Sequence, residues 1–244
     1  RDALPPQPGA LAALEAENPG AAGLARYVGQ SGCHPVYQNT AVTYFSLGQD
    51  KWERLLAELE QAEQFIFLEY FIIDEGLMWG RILEILARKA KAGVDVRVMY
   101  DGTCEFSTLP HDYPLRLEKL GIRCKAFAPV VPLVSTHYNY RDHRKILVID
   151  GHTAFTGGVN LADEYINHIE KYGHWKDTAV MLKGEAARSF TLLFLQMWNV
   201  TEQPPQFGEF CAAPVPPVRA AAFVMPFGGC PPAEVKGGTA VYLG

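Results

Sequence analysis

The run Phe65–Ile73 constrains the fold more than any other feature of the sequence. It is aromatic, β-branched or leucine throughout except at Glu69, the pattern of a strand buried on both faces. It is also far shorter than the roughly 18 apolar residues a membrane span requires. Amphipathic segments flank it. Trp52, Leu55, Leu56, Leu59 and Ala62 recur at helical spacing, which predicts a helix over Lys51–Gln64 with Asp50 as its N-cap. Trp79, Ile82, Leu83, Leu86 and Ala90 predict a second helix, stopped at Gly93 before a strand over Val94–Tyr100. A third helix, Leu115–Leu120, stops at Gly121 and feeds a strand over Ile122–Phe127.

Helix and strand thus alternate, the order from which a parallel sheet covered by helices is built. Lys145–Ile149 and Thr153–Thr156 then flank the turn signal Asp150-Gly151 and predict a hairpin. Thr178–Leu182 reads as a further strand and Glu185–Val200 as a helix. The expected class is α/β: an α/β/α sandwich whose mixed, mostly parallel sheet carries helices on both faces. Residues 1–34, rich in Ala, Pro and Gly, read as a linker or peripheral arm with a short helix near Leu11–Ala16. Residues 35–202 read as the globular unit, and 203–244, where prolines and glycines return, as a connecting segment.

Composition narrows the function. A hydrophobic content of 48% excludes disorder, and the net charge of -5 argues against non-specific nucleic-acid binding. Five cysteines show no C-x-x-C and no histidine at zinc-ligand spacing, so free thiols are expected and no metal or other cofactor is implied. The chain starts at Arg1 and stops just after Thr239–Leu243, which reads as a strand beginning. A piece of a longer protein is therefore expected.

The chemistry concentrates in one stretch, Asn139-Tyr-Arg-Asp-His143-Arg-Lys145-Ile-Leu-Val-Ile-Asp150, followed by Gly157-Gly158-Val159-Asn160. In an extended chain His143 and Lys145 project from one face, which pairs a nucleophile or proton carrier with a fixed cation. Asp150 has the opposite parity and sits at the turn, so it buttresses the site. Gly157 and Gly158 permit close backbone approach, and the Asn160 amide can donate to an oxyanion. Such donors suit a phosphoryl group. The spacing H-x-K-x-x-x-x-D has about 0.01 chance occurrences in a chain of this composition. His174-Trp175-Lys176 repeats H-x-K, but Met181 stands where the aspartate would be. Arg141, Arg144 and Lys145 form a local basic patch for anionic head groups. Glu69 reads equally as a site-lining carboxylate or a satisfied core group.

These residues resemble the HKD motif of the phospholipase D superfamily. The likeness is closer still to bacterial cardiolipin synthases, through Leu68-Glu69-Tyr70-Phe71, Tyr100-Asp101, Ser107-Thr108-Leu109-Pro110, Asn139 to Lys145 and Asp163-Glu164-Tyr165. The resemblance implies that His143 attacks phosphorus to give a phosphohistidine, with Lys145 and Asn160 as the phosphate clamp. Asp177, in Trp175-Lys176-Asp177, resembles a family carboxylate that hydrogen-bonds the catalytic histidine; without the resemblance it reads equally as a solvated aspartate. Arg141, Gly157 and Gly158 would join Lys145 and Asn160 in binding substrate. Family members carry two such units and membrane spans, whereas this sequence shows one motif, and the resemblance implies that residues 203–244 hold the connecting segment and the start of an absent second unit. The implied reaction converts two phosphatidylglycerol molecules to cardiolipin and glycerol. Its partners would be a second HKD unit, in the same chain or a second copy, and the bacterial cell membrane through spans outside a soluble piece. Two other readings stand beside it: a homodimeric single-HKD phosphodiesterase or nuclease, and a non-catalytic HKD-like scaffold.

Overall fold

The computed structural model of the chain describes residues 4–31, 34–128 and 141–228. The expected terminal strand, Cys33, Cys230, and the Asn139-Tyr140 flank of the motif lie outside these residues. The chain divides into two compact units, residues 43–181 and residues 1–42 with 182–244.

The chain opens with helices α1 (Ala10–Glu17) and α2 (Pro19–Ser31), then strand β1 (Thr40–Phe45) and helix α3 (Gly48–Leu59). Next come β2 (Phe65–Tyr70), α4 (Leu77–Lys91), β3 (Asp95–Asp101), the short helices α5 (Cys104–Ser107) and α6 (Tyr113–Glu118), and β4 (Arg123–Phe127). The hairpin β5 (Lys145–Ile149) and β6 (Thr153–Gly157) leads through a 3-10 turn, Asp163–Ile166, to β7 (Ala179–Gly184), α7 (Ala187–Trp198) and α8 (Gly208–Cys211). The strands form one sheet in the order β1-β7-β6-β5-β2-β3-β4.

The sheet is mixed, as the sequence predicts. β2 runs parallel to β3, and β3 to β4. β5 runs against β2 and pairs antiparallel with both β2 and β6; for β6 the two-stranded hairpin requires it. The described pairings among β2 to β6 are thus two parallel and two antiparallel. β1, whose Val42 and Tyr44 are exposed, has too little alternation to announce itself.

Within residues 43–181 the core lies on the sheet face bearing Ile66, Leu68, Tyr70, Leu147 and Ile149. Leu55 and Leu59 of α3 and Trp79, Ile82 and Leu86 of α4 belong to the same buried cluster. α3 begins before the expected cap: Leu47 takes the N-cap position and Asp50 lies in the first turn, where the helix dipole favours a carboxylate. It also ends short of Gln64. The N–H groups of Glu63, Gln64 and Phe65, which a longer helix would spend internally, are all accepted by the Asp150 carboxylate at 2.8 Å.

In the other unit, the segment read as a linker or peripheral arm with a short helix near Leu11–Ala16 carries two helices, α1 and α2. Leu14, Ala22, Ala25 and Val36 form a small apolar cluster with Phe223 and Met225 packed against it, and small side chains let α1 and α2 approach closely. No described helix is long and apolar enough to cross a membrane. Cys104, Cys124 and Cys211 are free and buried.

Candidate functional site

The site forms at one end of residues 43–181, where β2 ends, β5 begins and the loop after β6 leaves the sheet. Antiparallel register places Tyr70 opposite Lys145, so both side chains point to the same face, with His143 beyond them. His143 is exposed, and its ring leans on Phe71 at 4.8 Å between centroids. Burial and the neighbouring Lys145 charge push the imidazole below its ordinary value, against the pull of Asp142 and Asp101. It is therefore neutral at neutral pH, with a lone pair available.

Lys145 is 5% exposed. Its ammonium donates to the His143 carbonyl at 2.7 Å and lies 5.3 Å from the Phe71 ring centroid. Burial pushes it down to about 8, while the charges of Asp177 and Asp142 oppose the fall. A mostly protonated, desolvated ammonium beside a neutral imidazole is suited to hold an anion while the imidazole attacks.

The double glycine has two distinct reasons. Gly157 has φ +144, and a Cβ there would sit 2.6 Å from Ala179 Cα, so the backbone of the following strand excludes any side chain. At Gly158 a Cβ would lie 2.5 Å from the Asp177 carboxyl carbon. Asp177 is thus seated against bare backbone, where its Oδ1 accepts the Thr178 N–H at 2.8 Å. Its charge acts on Lys145 and on Lys51.

Asp177 does not reach His143: among the described residues no hydrogen bond joins them, and the carboxylates acting on that imidazole are Asp142 and Asp101. In place of the expected contact, Asp177 packs on Gly158 and accepts the Thr178 N–H. Asn160 is 2% exposed. Its Oδ1 accepts the Ile72 N–H at 3.1 Å, and its Nδ2 donates to the Tyr165 hydroxyl at 2.8 Å. These bonds tie the end of β2 to the loop after β6 and leave the amide one further N–H. Asp150 sits at the opposite end of β5 from Lys145, with φ +50, holding the start of β2.

The basic patch is internally paired. Arg141 donates to Asp101 Oδ1 at 3.3 Å and to the Ala128 carbonyl at 3.0 Å. Arg144 meets Glu69 at 2.5 Å and Asp142 at 2.9 Å. Glu69 points to the sheet face opposite Tyr70. Burial and the facing Asp142 raise its carboxyl well above the usual range, with Arg144 opposing. Burial also pushes Asp142 up, but Glu69 and Arg144 outweigh it and hold that carboxyl low. Glu69 is therefore a core acid, and this network anchors the approach to His143.

Several residues escaped the sequence reading. Lys51 is 1% exposed and donates to the Tyr70 hydroxyl at 3.1 Å. In sequence it falls one turn before Leu55 on the apolar stripe of α3, a position that does not by itself mark a site. Asp163 accepts the N–H groups of Leu77 and Met78 and so caps α4. No group of three or more His, Cys, Asp or Glu suited to a metal ion occurs among the described residues.

Comparisons with known proteins place the chain in a family. The chain is 57% identical over 220 residues to a Streptococcus mutans protein, covering 90% of this chain and 48% of that one. It is 38% identical over 176 residues to a cardiolipin synthase of Geobacillus kaustophilus, covering 72% and 35%. The chain thus spans less than half the length of the curated relatives it matches. NucT from Helicobacter pylori shares the fold, with a TM-score of 0.52 at 14% identity, covering 66% of this chain and 96% of that one. The family model for the cardiolipin synthase, phospholipase D-like domain matches residues 55–198, which hold His143, Lys145, Asp150 and Asn160. The chain belongs to the phospholipase D-like domain family of the cardiolipin synthases.

Proposed function

We propose that this chain supplies one half of a phosphatidyl-transfer site that converts two phosphatidylglycerol molecules to cardiolipin and glycerol. The observation that carries the reading is an exposed, neutral His143 set beside the buried Lys145 ammonium, in a chain 38% identical to a cardiolipin synthase.

The His143 lone pair attacks the phosphorus of one phosphatidylglycerol. The bond from phosphorus to the glycerol oxygen breaks, and glycerol leaves with a proton from a general acid on a second HKD unit. That unit lies elsewhere in the full-length protein or in a second copy. The hydroxyl of another phosphatidylglycerol then attacks the phosphohistidine and gives its proton back to the same group, which releases His143. Lys145 holds the anionic oxygens throughout, and the free Asn160 N–H faces the same anion. Gly157, Gly158 and Asp150 position these groups. Segments beyond this chain hold the site at the bacterial cell membrane, where the lipid is.

The test is to incubate the full-length protein with phosphatidylglycerol labelled in its phosphate and quench it. An acid-labile label on the peptide containing His143, absent from His143→Ala, is expected. Full-rate turnover by His143→Ala, or by the isolated chain as a monomer, overturns the half-site reading. Dimers that cleave nucleic acid and ignore lipid replace it with a single-motif nuclease.

A further inference from the structure

Lys51 presents an unusual arrangement. Its side chain leaves α3 on the apolar face, is 1% exposed, and ends 3.1 Å from the Tyr70 hydroxyl and 5.0 Å from that ring's centroid. A buried ammonium has three N–H donors to satisfy, and among the described residues its hydrogen bond goes to one neutral hydroxyl. Methionine or leucine would fill the same space without that desolvation cost. Stability therefore gives no reason for a lysine here, and its surroundings give a functional one.

Tyr70, the group Lys51 holds, is the β2 residue opposite Lys145. The carboxylate whose charge acts on Lys51 is Asp177, and the same carboxylate acts on Lys145. One negative charge is thus shared by two buried ammoniums. Asp142, the other carboxylate acting on Lys145, is paired with Arg144, so if Asp177 faced Lys145 alone, the pair would be neutral and a phosphoryl anion would gain little from it. With Lys51 the trio carries a net positive charge. Other ionisable groups around α3 are occupied: Tyr165 with Asn160, Glu58 with Arg54, and Glu60 with Arg88 of α4. Asp50 is exposed.

We propose that Lys51 is a positioning residue of the anion site: held by Tyr70 and sharing Asp177 with Lys145, it keeps the Lys145 ammonium free to bind the substrate's phosphoryl oxygens. This rests on the reading of His143 and Lys145 as a phosphoryl site. Lys51 touches no substrate and acts through charge alone. Burial pushes it down to about 7, with Asp177 opposing. Its charge, and its help to an anion, is therefore fullest well below pH 7, half lost near that value, and fades further as pH rises.

The experiment uses the full-length protein and inorganic sulfate, whose charge is constant across the range. Diethyl pyrocarbonate modifies exposed neutral imidazoles. The sulfate concentration that halves modification of His143, read on its peptide by mass spectrometry, measures occupancy of the site without requiring turnover. In Lys51→Met that concentration is expected to rise roughly tenfold at pH 6, the order of effect of one unit charge at a partly buried site. The ratio to wild type is expected to return to about one by pH 8.5. Tyr70→Phe removes the hydrogen bond and leaves Lys51 in place, and its fade is expected at lower pH than in wild type. Equal protection of wild type and Lys51→Met at pH 6 overturns the role of Lys51 and leaves the anion site standing. An unchanged midpoint in Tyr70→Phe overturns the contribution of Tyr70. Sulfate that protects His143 in no protein at any pH overturns the phosphoryl-site reading itself.

Discussion

Replacing Asp150 with alanine separates structure from chemistry at this site. The Asp150 side chain accepts three backbone N–H groups at 2.8 Å, from Glu63, Gln64 and Phe65, and the residue is 3% exposed. Hydrogen bonds to a charged acceptor contribute about 1.5–3 kcal/mol each. Three that share one carboxylate fall toward the lower figure, so their loss costs roughly 4 kcal/mol. Asp150 also has φ +50, which a short polar side chain tolerates and alanine does not, adding about 1 kcal/mol. Asp150→Asn is the informative companion. Gln64 and Phe65 both bond Oδ1, which an amide oxygen reproduces. The Glu63 N–H bonds Oδ2 and would meet an amide N–H instead. That variant is expected to lose about 1.5 kcal/mol, clearly less than alanine. Urea unfolding followed by circular dichroism reads both, and sulfate protection of His143 reads the site in the folded state. Alanine and asparagine variants that unfold like wild type, yet abolish turnover, refute this reasoning and move Asp150 into the chemistry.

The pH dependence of turnover follows from the two titrating groups. His143 attacks as the neutral imidazole, so kcat/KM rises with pH through a value below 6.5. Lys145 must be charged, so kcat/KM falls above about 8, and Lys145→Arg moves that alkaline limb up while lowering the plateau. A profile with no alkaline limb removes Lys145 from anion binding. The two glycines separate as well. Gly157→Ala drives a methyl into the Ala179 backbone at positive φ and is expected to destabilise by about 3 kcal/mol in a thermal melt. Gly158→Ala displaces only the Asp177 side chain, so it should leave stability within about 1 kcal/mol while lowering kcat/KM about tenfold. Equal melting losses for the two variants contradict this division.

What was legible in the sequence depended on whether the information was local. The buried strand, both long helices of residues 43–181 and the hairpin are periodic or carry their own turn residues, and they stand close to where the sequence predicts them. Gly93 and Gly121, read as helix stops, both have positive φ. The errors come from long-range partners. α3 ends early because Asp150, far along the chain, takes the N–H groups that would have continued it. The antiparallel pairing of β5 with β2 joins segments about 80 residues apart, which no local pattern announces. The site divides in the same way. His143 and Lys145 were legible from strand parity. Lys51 was not, because a lysine on an apolar stripe is usually a misplaced surface residue until its partner is known. Arg141 and Arg144 looked like a free basic patch because Asp101, which pairs with Arg141, is distant in sequence, and because nothing local shows that Asp142 turns its carboxylate to Arg144.

The spacing from His143 to Asp150 has a physical meaning beyond its use as a signature. Lys145 begins β5 and Asp150 directly follows its end, so the two are separated by about 16 Å of strand. Nothing at Asp150 can touch what Lys145 binds. It fixes register instead. By gripping the first N–H groups at the entry to β2, Asp150 locks Ile149 opposite Ile66, and the antiparallel count then delivers Lys145 opposite Tyr70. A slip of one residue would turn every side chain of β5 to the other face. Lys145 would then point to the side of Glu69, away from Asp177 and Lys51. The motif therefore joins the chemistry at one end of a strand to the anchor at the other that sets which face the chemistry occupies. This accounts for a strict interval between residues that never meet, and for a glycine after Asp150 that completes the turn in the left-handed region.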